Sequence, residues 1–578
     1  MRSMEWDLKG WIGTFGKPAR AEKGRAGACH PGSPGSHCPL APSIRWVLFV
    51  VVLGIGFGIR LPILLADTET ILSHWGSDDL FYFTEIAGHL AAGDGLTFDG
   101  IHLTTGVQPL WLLLLAPFGC WFVGNGPLAL SVVHWMVTGL TMVTALLFPW
   151  LSRQFLDDDW AVGWLASVIW VAHPRILGIT FEGTEGALSS LAWLVALGVW
   201  KTDGRGTRPS IILGIVLGLG ALTRVDFLLP AVILLVFRPG GLTVRPLYRM
   251  AVSASAFVLV AGMWPAVCWW TTGSPFPDSG AAKKLHGERL AEIQDDDAGG
   301  WQSWGYFDAA MQGPRYLMTT GGRVSRISLI LVPLSLMGFG IFGRSRERRW
   351  SVFPRTMRLA TGLWPVIVAS GCLLALYPLV LRSMRSWYVA GPLLVMTILV
   401  ASFVIDLAAQ APKGKGITTM ITVAVWLVAC NFEAALFPRD SQTVPFIIAG
   451  EISKKYVRPG TQIGAFNAGI LGAWAAPGTT VINLDGVVNH SAVVALRDRD
   501  LAGYVERNNI QFIIDFEASL AFYDSIGGAD LQPRLRRLET VPCGRRHILG
   551  IWQVDPNGGA SSGGGLSRLP VPSDRGLE

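Results

Sequence analysis

"HWGSDDLFYFTEIAGHLAAGDGLTFDGIHLTTGVQPLW", residues 74–111, follows directly on the chain's first long apolar run. It begins with two adjacent carboxylates, Asp78 and Asp79. After them Leu80, Phe83, Ile86, Ala87 and Leu90 recur at helical spacing, with Glu85 and His89 off the apolar stripe. That pattern predicts an amphipathic helix lying along a surface rather than crossing a bilayer. Two readings of the acidic pair stay open. Either Asp78 is an N-cap and Asp79 a first-turn acid favoured by the helix dipole, or the pair does chemistry at that surface.

Composition identifies the surface as a membrane. The 578 residues are 51% hydrophobic and 15% charged, with a mean hydropathy of +0.43; ordinary soluble domains carry about 25% charged residues. Twenty-four Trp and 68 Gly suit helices packed in lipid. The net charge of +6 comes from Lys and Arg in short loops between apolar runs, so it implies no nucleic-acid partner. The seven Cys form no framework, and "CHPGSPGSHC" (29–38) is too short and Gly/Pro-rich for zinc spacing. Residues 1–44 read as a disordered leader or a start codon placed too early, and no cleavable signal peptide is expected, because the first apolar segment is full length and lacks a small-residue cleavage site.

A helical span needs about 20 apolar residues. The first is 45–66. The basic loops "KTDGRGTR" (201–208), "RPGGLTVRPLYR" (238–249), "RSRERRWSVFPRTMR" (344–358) and "PKGKG" (412–416) are assigned to the cytoplasm. Spans near 127–150, 160–180, 186–200, 250–271, 327–343, 359–381, 387–408 and 417–436 then alternate without conflict. Two stretches need special treatment. "QPLWLLLLAPFGCWFVG" (108–124) reads as a short or partly inserted helix, and 210–237 as a hairpin of two short helices with "TRVD" at its tip.

The expected fold is a polytopic α-helical membrane protein with roughly 11 transmembrane helices. Its membrane domain covers 45–436, with extracytoplasmic loops at 67–107 and 272–325. The N-terminus is placed in the cytoplasm and the remainder beyond 437 outside a plasma (inner) membrane. In that remainder "TQIGAF", "TTVINLDG" and "IQFIIDF" read as buried strands between helices, which predicts a small α/β domain with a mainly parallel sheet over 437–556. Residues 557–578 read as a flexible tail.

"SDDLFYFTEIAGHLAAGDG" followed by "TTGVQPLW" resembles the first extracytoplasmic loop of the GT-C-type, polyprenyl-phosphate-dependent glycosyltransferases. That group includes the dolichyl-phosphate-mannose protein mannosyltransferases and the lipid A aminoarabinose transferase. The closest likeness is to a bacterial subgroup with a "TNGYHPLW"-like string, from which this chain departs at Thr105 and Gln108. "FEGTEGALSSL" (181–191) resembles the second acidic motif, through Glu185. "GSPFPDSGAAKK" (273–284) resembles a Pro-Asn-Ser string, with Asp278 for the usual Asn and Lys283 at the basic position. "RSWY" (385–388) resembles an Arg-Tyr element. The stretch 463–489 resembles the subgroup's soluble domain.

The resemblance implies a sugar on a polyprenyl phosphate as donor, and transfer with inversion by direct displacement to a lipid, glycan or protein acceptor. Asp78 is the expected base or acceptor-orienting acid, Asp79 the runner-up and Glu185 the second acidic position. A carboxylate base suits an attacking hydroxyl, and fixed cations suit a departing phosphate. The phosphate and substrate candidates are Tyr82, Gln108, Arg224, Lys283, Lys284, Arg385 and Tyr388, although Arg224 has Asp226 nearby as a simple partner and Lys284 also suits solvent or phospholipid. No cofactor is certain; Asp78, Asp79 and Glu185 offer hard oxygen ligands for Mg²⁺ or Mn²⁺. The alternatives are a transporter or flippase of lipid-linked sugars, for which internal repeats are expected, and a non-catalytic envelope scaffold.

Overall fold

The computed structural model describes residues 42–156, 159–202, 206–237, 244–297, 353–377, 386–410, 444–543 and 547–555. Among them, five helices are long and apolar enough to cross a membrane: Ser43–Leu64, Gly126–Phe155, Leu247–Thr272, Pro354–Leu376 and Trp387–Ala409. The expected spans at 327–343 and 417–436 lie outside the described residues, as do residues 1–41, most of the 344–358 loop and the tail.

The stretch read as a single span at 160–180 is a broken one. Trp160–Ala172 and Pro174–Phe181 meet at 58°. Pro174 has no amide hydrogen to continue the ladder and disfavours helix at the residue before it. His173 accordingly adopts an extended ψ of 125°, and its Nδ1 accepts from the Arg175 N–H at 3.1 Å. The 207–236 stretch is likewise two short helices, Thr207–Thr223 and Leu228–Val236, with Arg224 extended at the break (φ −159°, ψ 134°). Residues 109–121 form a short α-helix, Pro109–Leu115, running into a 3-10 turn, Ala116–Trp121.

Residues 462–554 contain a five-stranded sheet of β1 (Gln462–Ala465), β2 (Thr480–Asn483), β3 (Phe512–Phe516), β4 (Leu535–Cys543) and β5 (His547–Val554), in the order β2-β1-β3-β5-β4. The first three are parallel, and β5 runs antiparallel to both β3 and β4. Every residue of β3 is buried at the centre of the sheet, the carboxylate Asp515 included among its apolar neighbours. The β4–β5 hairpin was not read from the sequence.

The helix Asp78–Ala92 joins the two parts of the molecule. Leu80, Phe81, Ile86 and Ala87 share one core with Phe446, Ile463, Ala465, Ile470 and Leu471. On one side a Cβ on Gly469 would lie 2.2 Å from the Asp78 carbonyl oxygen; on the other, a Cβ on Gly119 would lie 2.2 Å from the Ala87 carbonyl oxygen. Backbone therefore abuts backbone on both flanks. The surface-lying helix expected from the sequence is in fact buried throughout from Leu80 to Gly88, Glu85 included at 5% exposure.

Candidate active site

The two acids of the pair have different surroundings. Both oxygens of Asp78 are taken: the Ile470 N–H donates to Oδ1 at 2.7 Å and the Gly469 N–H to Oδ2 at 3.1 Å. Asp78 thus caps the first turn of the helix Gly469–Trp474, nearly four hundred residues along the chain, rather than its own helix. Burial pushes its carboxyl up to about 7 against the pull of those amides. One turn on, the Tyr82 hydroxyl donates to the Phe466 carbonyl (3.3 Å) and accepts from the Ala468 N–H (3.0 Å) and the Asn483 amide (3.4 Å). Asp78 and Tyr82 together fasten the helix to the ends of β1 and β2.

Asp79 is half-buried and accepts no hydrogen bond from the described residues. It stands close enough for its charge to act on Glu185 on one side and Asp485 on the other. Glu185 is held by an ion pair with Arg224. The Arg224 Nε–H donates to both oxygens of Asp226 at 3.1 and 3.2 Å, Nη2 donates to the Tyr377 hydroxyl at 3.2 Å, and the guanidinium lies 4.8 Å from the Tyr388 ring centre. Tyr388 in turn stacks on Tyr377 at 4.0 Å. A phosphate at Arg224 would meet a cation already balanced by two carboxylates.

Lys283, half-buried on the helix Asp278–Asp297, is near enough for its charge to act on Asp485. Lys284 is exposed and 3.8 Å from Glu288. Gln108 begins the helix Pro109–Leu115 without capping it through its side chain, and Arg385 lies outside the described residues. The structure therefore brings Asp78, Asp79, Tyr82, Glu185, Arg224 and Lys283 into one region and leaves Lys284 in solvent. Asp78, Asp79 and Glu185 make a poor ligand set for Mg²⁺ or Mn²⁺, since Asp78 is spent on backbone amides and Glu185 on Arg224; among the described residues no group of three His, Cys, Asp or Glu side chains is placed to hold a metal.

One residue, Asp485, and one contact, between Asp278 and Thr105, were missed from the sequence. Asp485, two residues beyond β2, is 7% exposed and pushed up to about 6 by burial. Asp278 receives the Thr105 N–H and hydroxyl at 2.7 and 3.0 Å and pairs with His490 at 2.7 Å. The signal for Asp485 was an acid before Gly486 at the end of a parallel strand. A cavity of about 390 Å³ lies beyond His490, lined in part by His102, Asp500, Tyr504 and Arg507, and it includes none of the acids on the helix Asp78–Ala92.

No family model and no curated protein matches the chain. Its structure is similar, at low identity, to solved structures of two other proteins. One is ArnT from Cupriavidus metallidurans bound to undecaprenyl phosphate, at 12% identity over 88% of this chain and 98% of that one, with a TM-score of 0.47. The same ArnT in the apo state gives 11% identity over 90% and 99%, with a TM-score of 0.48. The Archaeoglobus fulgidus oligosaccharyltransferase in complex with Zn and sulfate gives 12% identity over 87% and 72%, with a TM-score of 0.45. Likenesses at this distance assign no residue a role.

Proposed function

We propose that the protein is a membrane glycosyltransferase that moves a sugar from a polyprenyl phosphate to a lipid, glycan or protein hydroxyl, with Asp79 as the base. One observation carries the reading: of two adjacent acids, Asp78 has both oxygens committed to backbone amides, while Asp79 has none committed among the described residues. An unencumbered carboxylate can take the proton of an attacking hydroxyl. Lys283, in the basic position of its motif, supplies charge for the departing phosphate. Asp78 and Tyr82 act one step removed, fixing the helix that carries Asp79. Arg224 and Glu185 form the neighbouring wall. We put the helix and the C-terminal sheet on the extracytoplasmic face of a plasma (inner) membrane, a reading that the charge of the basic loops supports.

A flippase of lipid-linked sugars is the second reading, favoured by the broken helices at Pro174 and Arg224. One experiment separates the two. Full-length protein in proteoliposomes is given undecaprenyl-phosphate-linked sugars and an envelope extract of the host, and sugar transfer and lipid flipping are measured separately. Transfer that disappears in Asp79→Asn supports the transferase. Flipping without transfer, unaffected by that change, overturns it.

A further inference from the structure

The parallel strands β1 and β2 end at Ala465 and Asn483, and both carboxyl ends meet the helix Asp78–Ala92 through the Tyr82 hydroxyl. Parallel α/β sheets take their ligands outside the carboxyl ends of their strands. Asp485 lies at that edge, in a turn held firmly in place. The Gly486 N–H donates to Asn483 Oδ1 at 3.0 Å, the Val487 N–H to Asp485 Oδ1 at 2.8 Å, and the Asn489 amide to the Asn483 carbonyl at 2.8 Å. Gly486 has a φ of 81°, which a residue with a Cβ would resist. From the other side His286 Nε2 meets the Asp485 carbonyl at 3.0 Å; burial pushes that imidazole down to about 3, so it is a neutral donor. That helix also carries Lys283, one turn before His286, near enough for its charge to act on Asp485.

Asp485 thus lies within range of the charges of both Lys283 and Asp79. On the transferase reading, Lys283 faces the departing phosphate and Asp79 the attacking hydroxyl. The donor sugar is what joins those two points. Building on that reading, we propose that Asp485 accepts a hydrogen bond from a hydroxyl of the donor sugar, which makes the C-terminal sheet part of sugar selection. Its carboxyl, pushed up to about 6 by burial, remains largely ionised at neutral pH and so a strong acceptor.

The test compares lipids with and without the sugar. Full-length protein in lipid nanodiscs is titrated with undecaprenyl phosphate and with undecaprenyl-phosphate-linked hexoses and pentoses. Wild type should bind at least one glycosylated lipid more tightly than the bare lipid. Asp485→Asn keeps an oxygen for the Val487 N–H but loses the charge; it should weaken the glycosylated lipid about tenfold and leave the bare lipid unchanged. Lys283→Gln should weaken both alike. If Asp485→Asn fails to fold, Asp485→Glu is judged by the same ratio. A variant with the wild-type ratio, or one that weakens both lipids alike, overturns the inference. Wild type that binds neither lipid sinks the transferase reading itself.

Discussion

Asp278 Oδ2 accepts both the backbone N–H and the hydroxyl of Thr105, at 2.7 and 3.0 Å. These are two of the positions at which the chain departs from the strings it resembles, and the departures meet in space. Through His490 on the other oxygen of Asp278, at 2.7 Å, the same carboxylate reaches the helix His490–Arg497 that follows β2. Both Asp278 and Thr105 are buried, so removing one partner strands the other. Thr105→Val, nearly isosteric, should cost about 1–3 kcal/mol. Thermal unfolding of the purified full chain reads this directly, and an unchanged Tm would remove the latch from the account.

Asp79→Asn should lower sugar transfer by about 10²–10⁴-fold, the usual worth of a general base, with Tm unchanged because no bond among the described residues is lost. Asp78→Asn should instead show itself in stability, since the amide can serve only one of the two N–H donors at Gly469 and Ile470. The reverse ranking in transfer assays would return the base to Asp78.

The sign of the pH dependence follows from three buried carboxyls. Asp78, Glu85 and Asp485 are raised to about 7, 8 and 6 in the folded chain, mainly by burial. Between those values and their ordinary range near 4, the folded state holds protons that the unfolded state releases. Stability from these groups therefore falls as pH rises from about 4 to about 8. Glu85→Gln, which keeps the shape of the neutral acid, should flatten the upper part of that fall. Tm measured at pH 5 and pH 8 decides it; a wild-type Tm that rises with pH would contradict the assignment.

Gly106→Ala should loosen the C-terminal sheet from the loop beneath it. A Cβ there would lie 1.8 Å from the Val487 carbonyl oxygen, and backbone cannot rotate out of the way as a side chain can. A cost of about 1–3 kcal/mol follows from forced overpacking, visible as faster limited proteolysis of the full chain. Equal proteolysis of mutant and wild type would count against the contact.

Arg224→Met leaves Glu185 and Asp226 beside a missing cation and should destabilise by about 3–5 kcal/mol. Adding Glu185→Gln should recover part of that loss, a coupling that a double-mutant cycle measures. Strictly additive losses would mean the pair does not act as one.

What the sequence showed and what it hid follow from the range of each signal. The break at Arg224 was legible because charge interrupts an apolar run locally, and β3 because "IQFIIDF" is rich in Ile and Phe over a strand's length. Asp78 looked like a cap for its own helix, because a periodicity cannot see a partner at Gly469 and Ile470. The burial of Glu85 was hidden for the same reason: the stripe shows one apolar face, whereas the helix is covered on two. β4 was illegible because "LRRLETVPC" lacks the alternation of a half-buried strand and shifts register between Arg537 and Glu539.

The reach of Asp78 to Gly469 and Ile470 also sets an order of events during synthesis. A ribosome releases the acidic helix long before it has made the amides that cap one acid and the turn that carries Asp485. Until those later residues arrive, the early membrane helices are inserted with a helix that has neither its cover nor its anchor. The anchored helix is then complete only once the later-made amides of Gly469 and Ile470 have met Asp78.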